Sequence, residues 1–184
     1  MVSIPTLWLP ILLSAVAVFV ASSVMHMVLG YHKHDVRKLS NEDDTLKAFR
    51  ALGFEPGDYA VPCAESAREL KDPEYIDKVT RGPVVFMTVC QGGPSMGLSL
   101  MLWFGYALAV GVFAAYVTGR ALGPGASYLP VFRFAGTTAF LAYSFALLQH
   151  SIWYQRSWAT TARSMADGLV YAALTAGFFG WLWP

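Results

Sequence analysis

Residues 22–38 read SSVMHMVLGYHKHDVRK, and within this stretch an apolar segment gives way to three histidines and the first basic side chains. Residues 7–29 contain no formal charge over 23 positions, and a helix needs about 20 such residues to cross the hydrocarbon core. The stretch therefore marks where a membrane-spanning helix leaves the lipid. The charges that follow it help to predict on which side of the membrane the helix emerges.

The distribution of charge separates one hydrophilic insert from an otherwise membrane-like chain. Of 184 residues, 55% are hydrophobic and 14% are charged. Residues 31–95 hold nine Lys/Arg and eleven Asp/Glu, which leaves four Arg and the single acidic residue Asp167 for the rest. Since neither part carries a clustered basic field, the composition argues against a nucleic-acid-binding protein.

Four charge-free runs predict an all-α membrane protein with four transmembrane helices and a small α+β extramembrane insert between helices 1 and 2. We expect a single membrane domain over residues 1–184. A cleaved signal peptide is the competing interpretation of the first run, but basic residues follow this run instead of preceding it. The predicted helices cover about residues 7–29, 98–117, 134–153 and 168–183.

The insert, residues 31–95, has the pattern of an ordered α+β unit. A capping pair, Ser40 with Asp43, predicts a short amphipathic helix that ends at Gly53. Residues 58–61 and 84–89 read as strands, and residues 64–70 as one or two helical turns.

Basic residues near the helix ends predict the topology. Arg120 and Arg133 lie on the side of the termini, against seven on the insert side, so we expect the termini outside and the insert in the cytoplasm. Cys63 and Cys90 would then be free thiols, whereas the inverted topology would make a disulfide plausible. The seven are Lys33, Arg37, Lys38, Lys78, Arg81, Arg156 and Arg163.

Small residues recur every four positions in helices 2 and 4. Such stripes let helix backbones approach closely, which is the main attraction between helices in lipid. We therefore expect helices 2 and 4 to pack against each other, within one subunit or across a homodimer. The stripes consist of Ala107, Gly111, Ala115 and Gly119 in helix 2 and of Gly168, Ala172, Ala176 and Gly180 in helix 4.

His26, His150 and Asp167 are the candidate chemical groups inside the spans. Each lies near the cytoplasmic end of its helix in the expected topology, so together they could coordinate a transition metal, ligate a haem through the two histidines, or relay protons. The structural alternatives are that the histidines point at lipid headgroups and that Asp167 sits at a helix start, where the dipole favours a negative charge.

Two weaker metal patterns lie close by. His32 and His34 could bind zinc together with Cys63 or Cys90, but the two cysteines are single and far apart, and solvated interfacial histidines explain the pair better. Met25 and Met27 flank His26 and suit Cu(I), but neighbouring helical positions point about 100° apart and do not converge.

Sequence motifs for nucleotide hydrolysis, serine hydrolysis, metalloproteolysis and c-type haem attachment are absent, so no catalytic residue is predicted. A transporter would carry polar or broken segments at the membrane midplane, and the predicted helices have almost none.

Segments spread along the chain carry one resemblance. SSVMHMVLGYHKHDVRKLSNED (22–43), EPGDYAVP (55–62), VFRFAGTTAFLAY (131–143) and DGLVYAALTAGFFGWLWP (167–184) resemble a family of uncharacterised small bacterial four-helix inner-membrane proteins with no assigned activity. The resemblance implies a multi-pass protein of the bacterial inner membrane, and it implies no catalytic residue.

Two functions of different classes follow. The first is an accessory or scaffolding subunit without a cofactor, which packs against other membrane proteins or itself in the lipid bilayer through its small-residue faces. The second is a haem- or metal-binding membrane redox protein that uses His26 and His150.

Overall fold

The computed structural model describes residues 1–93 and 95–184. They form two compact units, the first made of Met1–Val36 with Ser95–Pro184 and the second of Arg37–Pro94. In chain order the helices and strands of the described residues are α1 (Trp8–Met27), α2 (Glu42–Leu52), β1 (Gly57–Val61), α3 (Pro73–Arg81), β2 (Val85–Val89), α4 (Met96–Ala121), α5 (Tyr128–Tyr143), α6 (Leu148–Trp153) and α7 (Trp158–Trp181).

Three helical stretches of the first unit are long and apolar enough to cross a membrane: Ile4–Met27, Met96–Ala121 and Tyr128–Trp153. They coincide with predicted helices 1, 2 and 3, so the prediction of a mostly helical chain with membrane-spanning helices is confirmed to that extent. Among the described residues α7 is not one of these stretches, although it has 24 residues and only two charged side chains, Arg163 and Asp167.

The first unit is a ring of four helices. Both α1 and α5 pack against α4 and α7, which leaves α4 diagonally opposite α7. Two contacts show that α1 and α4 run antiparallel: the Val2 amide donates to the Gly119 carbonyl (2.9 Å), and Trp103 Nε1 donates to Ser22 Oγ (2.8 Å). We call the end formed by residues 26–36 the histidine end and the end formed by residues 1–5 and 116–125 the arginine end.

The small-residue stripes lie inside this ring, but each stripe is covered by another helix than the one predicted. Helices α4 and α7 contact each other through larger side chains, since the rings of Trp103 and Tyr171 lie 5.8 Å apart. A Cβ on Gly111 would lie 3.2 Å from Ile11 Cγ2, and one on Gly136 of α5 would lie 3.0 Å from Ala176 Cβ. The stripes thus pack α4 against α1 and α7 against α5. A stripe reveals a closely packed face, but it does not reveal which helix covers it.

The boundaries of the last two predicted helices also differ from the prediction. The third is interrupted, since α5 ends at Tyr143 and a 3₁₀ turn, Phe145–Leu147, precedes α6. At this break Ser144 Oγ donates to the Met165 carbonyl (3.0 Å). The fourth begins at Trp158 instead of residue 168, so Asp167 lies in the third turn of α7 and not at a helix start. The helix dipole therefore does not explain Asp167.

The second unit contains the predicted sheet. Both predicted strand segments form strands, and β1 pairs with β2 in antiparallel fashion, with Asp58 opposite Thr88. Asn41 and not Ser40 occupies the N-cap position of α2, and its side chain makes no capping hydrogen bond. The helix ends at Gly53, whose φ of +64° suits glycine. Helix α3, with Asp72 as its N-cap, was not predicted. Residues 64–70 include one helical turn, closed by the hydrogen bond from the Leu70 amide to the Ser66 carbonyl (3.3 Å), and this turn leads into a 3₁₀ turn, Glu69–Lys71.

Candidate functional site

The segment after α1 folds back over the histidine end of the bundle. Gly30, with a φ of +62°, turns the chain as it leaves the helix, and two further backbone hydrogen bonds, from Lys33 to Gly30 (3.2 Å) and from Asp35 to His32 (2.9 Å), tighten the turn. The turn brings Tyr31, His32 and Asp35 within hydrogen-bonding distance of side chains on α7.

Asp167 is the buried centre of the resulting polar network. It is only 3% exposed, and each of its carboxylate oxygens has a partner from the folded-back segment. The Tyr31 hydroxyl donates to Oδ1, and His32 Nε2 lies 2.7 Å from Oδ2. Burial, followed by the hydrogen bond to Asp167, raises the pKa of Tyr31 to about 12, so Tyr31 stays a neutral donor at ordinary pH.

His32 bridges two carboxylates. Its Nδ1 lies 2.6 Å from Asp35 Oδ2, opposite the contact to Asp167. Burial alone would lower the pKa of His32, but the hydrogen bonds to Asp35 and Asp167 outweigh burial and raise it. Because an ionised carboxylate only accepts hydrogen bonds, the imidazole donates from both nitrogens and is positively charged in this arrangement.

Arg163 and Thr160 hold the far side of Asp35. Arg163 Nε donates to Asp35 Oδ1 (2.9 Å), Arg163 Nη2 donates to the same oxygen, and Thr160 Oγ1 donates at 3.3 Å. Burial raises the pKa of Asp35, but the hydrogen bonds from His32 and Arg163 are together stronger and lower it. Charges of alternating sign therefore run from Asp167 through His32 and Asp35 to Arg163.

His26 approaches Asp167 from the last turn of α1. Its side chain is 51% exposed, and its Nε2 lies 3.9 Å from Asp167 Oδ2. The ring stacks on His32 with centroids 4.6 Å apart and planes 4° from parallel. His26 Nδ1 lies 3.0 Å from the Ser22 carbonyl, one helical turn back, so Nδ1 is the protonated nitrogen when it donates to this oxygen.

These contacts bring together three groups with the chemistry of metal ligands. One potential ligand atom each of His26, His32 and Asp167 lies within 4.8 Å of the other two. Two imidazoles and one carboxylate form the donor set of many three-ligand zinc sites and of non-haem Fe(II) sites, in which further coordination positions stay open. Because the side chain of His26 is 51% exposed, the protein leaves one edge of the group uncovered.

The atoms of these residues that would not bind the metal already have partners. Nδ1 of His26 faces the Ser22 carbonyl, Nδ1 of His32 faces Asp35, and Oδ1 of Asp167 accepts from Tyr31. The remaining atoms, Nε2 of both histidines and Oδ2 of Asp167, face one another. Protein metal sites orient their ligands through such outer partners, because these fix the tautomer and the ring plane.

The sequence-predicted residues are divided between this site and other places. The structure brings His26 and Asp167 together, but His150 lies exposed on α6 beside Tyr154, with ring centroids 6.1 Å apart, and is not part of the described group. His34 is exposed, whereas His32 is not the solvated residue that its position suggested.

The remaining candidates for metal binding give no second group among the described residues. Cys63 and Cys90 are exposed, free thiols of the second unit. Met25 packs against the core of the bundle while Met27 is 81% exposed, in keeping with their divergent directions.

Sequence reasoning missed His32 as a central residue, together with Tyr31, Asp35, Thr160 and Arg163. One signal was available. Thr160, Arg163 and Asp167 follow one another at spacings of three and four, which places them on one face of a helix. That signal required a helix starting before residue 160, whereas the predicted helix began at residue 168.

Comparison with known proteins adds no relative. No protein-family model matches the chain. No curated protein and no solved structure is similar to it either. The resemblance to small bacterial inner-membrane proteins therefore stays a prediction.

Proposed function

We propose that this is an integral membrane protein that crosses the bilayer four times and binds a divalent transition metal, with zinc as the best fit, through His26, His32 and Asp167. The observation that carries the proposal is the orientation of the three groups: three potential ligand atoms face one another, while the other polar atom of each side chain has a hydrogen-bond partner. A metal would take the place of the proton on His32 Nε2, as metal ions do when they bind imidazole.

The fourth span is α7. It packs between α1 and α5 in the same ring as the three candidate spans, and its 24 residues suffice to cross the hydrocarbon core. Its charged residues Arg163 and Asp167 have partners within the bundle. A charge that is satisfied inside the protein costs far less in a membrane than one that faces lipid.

The excess of basic residues on the insert side supports termini outside and the insert in the cytoplasm of a bacterial inner membrane. With this topology the histidine end faces the cytoplasm, and the metal would be exchanged with the cytosolic pool through the exposed edge of His26.

Titration of the purified, metal-stripped protein in detergent with Zn²⁺, and with Co²⁺ as a coloured probe, tests the proposal. We expect one metal per chain and the visible bands of a low-coordinate Co²⁺ site. His26→Ala is the most informative ligand variant because His26 is half-exposed and makes one hydrogen bond to a backbone carbonyl. It should weaken binding by more than about 100-fold, since outer-shell changes alone cost roughly 10–100-fold.

His34→Ala and His150→Ala are the matched controls, because both remove an exposed histidine outside the group. They should bind metal as the wild type does. If the protein did not bind metal stoichiometrically, or if the control variants lost as much metal affinity as His26→Ala, the network would only stabilise this end of the bundle. A Soret band that His150→Ala abolishes would favour the haem site predicted from His26 and His150 instead.

The role of an accessory subunit stays a prediction. Its argument used the small-residue stripes as faces for other proteins, yet seven of those eight residues are buried within the subunit and Gly180 is half-buried. A partner would therefore have to bind another surface.

A further inference from the structure

We infer that the arginine end of the bundle holds a second, separate site, which binds the phosphate of an anionic phospholipid headgroup through Arg120. The site is a pocket of about 390 Å³ lined by residues 1–5 together with Tyr116 and Arg120. It lies at the opposite end of the helices from His26, because α1 and α4 run antiparallel and residue 2 pairs with residue 119.

Arg120 is a cation without a carboxylate. Its Nη1 lies 3.3 Å from the thioether sulfur of Met1, which is a weak acceptor, and its guanidinium lies 5.6 Å from the centre of the Tyr116 ring. Among the described residues no acidic oxygen lies within 4.0 Å of it. Most of its five N–H donors are thus free for an external acceptor.

The first unit offers no acidic residue that could serve as this acceptor. Outside residues 37–94 the sequence contains only Asp35 and Asp167, and both belong to the network at the histidine end. The side chains of the arginine end therefore include the cations Arg120 and, on α5, Arg133, but no acidic group among the described residues. The carboxyl of Pro184 also lies at this end, where its oxygen accepts a hydrogen bond from the Gly125 amide (2.6 Å). An anion is the complementary partner for this end of the bundle.

The position of Arg120 selects a lipid as the source of that anion. Arg120 lies in the last turn of α4, and residues 4 and 5 open the first candidate span, so the pocket sits where two candidate membrane helices end. Tyr116, one turn deeper and half-exposed, has the character of a residue at the interface between water and lipid. The guanidinium fork matches the geometry of a phosphodiester.

Native mass spectrometry of the detergent-purified full chain, titrated with phosphatidylglycerol or phosphatidylcholine, tests the inference. We expect the wild type to prefer phosphatidylglycerol and Arg120→Ala to bind it about tenfold or more weakly, the loss expected when charge-assisted hydrogen bonds to a phosphate are removed. Arg133→Ala removes the same charge at the same end but lies outside the pocket and loses no such hydrogen bond, so its affinity should stay within about twofold of the wild type in a buffer of ordinary ionic strength.

An equal loss in both variants would overturn the inference, because general surface charge would then explain the preference. An Arg120→Ala protein that binds like the wild type would overturn it as well. Inorganic phosphate in excess distinguishes the two sources of the anion: a pocket for a lipid keeps its phosphatidylglycerol, while displacement by phosphate would identify a site for a free anion. Gel filtration of each variant verifies that it remains folded.

Discussion

The guanidinium of Arg163 donates to a single oxygen of Asp35 from both Nε and Nη2, while the other oxygen of Asp35 lies 2.6 Å from His32 Nδ1. Asp35 thereby stays ionised and keeps the ring of His32 in one orientation. Asp35, which contacts none of the three candidate ligand atoms, therefore determines the direction in which His32 Nε2 points.

Asp35→Asn should accordingly weaken Zn²⁺ binding by about 10–100-fold without removing a ligand. The neutral amide accepts a weaker hydrogen bond from His32 and no longer pairs with Arg163. Isothermal titration calorimetry measures the change. Asp43→Asn, an exposed position in α2, is the control and should bind like the wild type. If Asp35→Asn bound Zn²⁺ with the affinity of the wild type, the hydrogen-bond network would not contribute to metal binding.

The stability of the metal-free protein should depend on pH through His32. Its pKa is raised above the usual 6.5, so its contribution is complete below pH 6.5 and is lost as the pH rises through the raised pKa. The pKa of Asp35 is lowered from 3.8, so its contribution is present above pH 3.8 and is lost as the pH falls through the lowered pKa. The network therefore stabilises the protein most between pH 3.8 and pH 6.5.

Thermal unfolding in detergent with a chelator checks this dependence. From about pH 6 to about pH 9 the melting temperature of the wild type should fall further than that of His32→Gln, which lacks the titrating imidazole. His34→Gln should follow the wild type, since His34 is exposed and outside the network. Identical pH profiles for the wild type and His32→Gln would show that the charge of His32 adds nothing to stability.

Gly168→Ala should destabilise the bundle where α5 breaks. A Cβ at this position would overlap Ser144 Oγ and lie 2.7 Å from the Tyr143 carbonyl oxygen, so the helices would have to separate. Overpacking of this kind costs roughly 1–3 kcal/mol. Gly105→Ala is the matched control, because nothing lies within 4 Å of its added Cβ and alanine favours the helix. Equal melting temperatures for the two variants would contradict the close approach.

The topology predicts which thiols an impermeant maleimide reaches in intact bacterial cells. Cys63 and Cys90 are exposed in the second unit and should react only after the membrane is opened. In a chain with Cys63→Ser and Cys90→Ser, a cysteine introduced by Ser127→Cys should react at once, because residue 127 is exposed in the connection between α4 and α5. The reverse pattern would place the insert outside the cytoplasm.

The sequence was sufficient to predict three long apolar helical stretches, because lipid demands long runs without charge and such runs are visible in one dimension. It also predicted the two strands, which glycine and proline delimit. It could not predict that the small-residue stripe of α4 packs against α1 and that of α7 against α5, since several arrangements bury such a stripe equally well.

The candidate site was predictable only in part, and the reason is sequence separation. His26 and Asp167 stood out as ionisable groups near the ends of apolar helices. His32 seemed solvated because its two partners are three and 135 residues away, and only the folded ring brings the second one close. Arg163 counted as a topology signal, whereas in the folded chain it is a partner of Asp35.

The 135-residue separation between His32 and Asp167 has a consequence for biosynthesis. His26 and His32 leave the ribosome before the insert and the next two spans, whereas Asp167 arrives with the last helix. Under the proposed function a nascent chain therefore holds two of the three ligands for most of its translation and completes the set only when α7 joins the ring. The metal would then act as a late cross-link between residues that are 135 positions apart in a chain of 184.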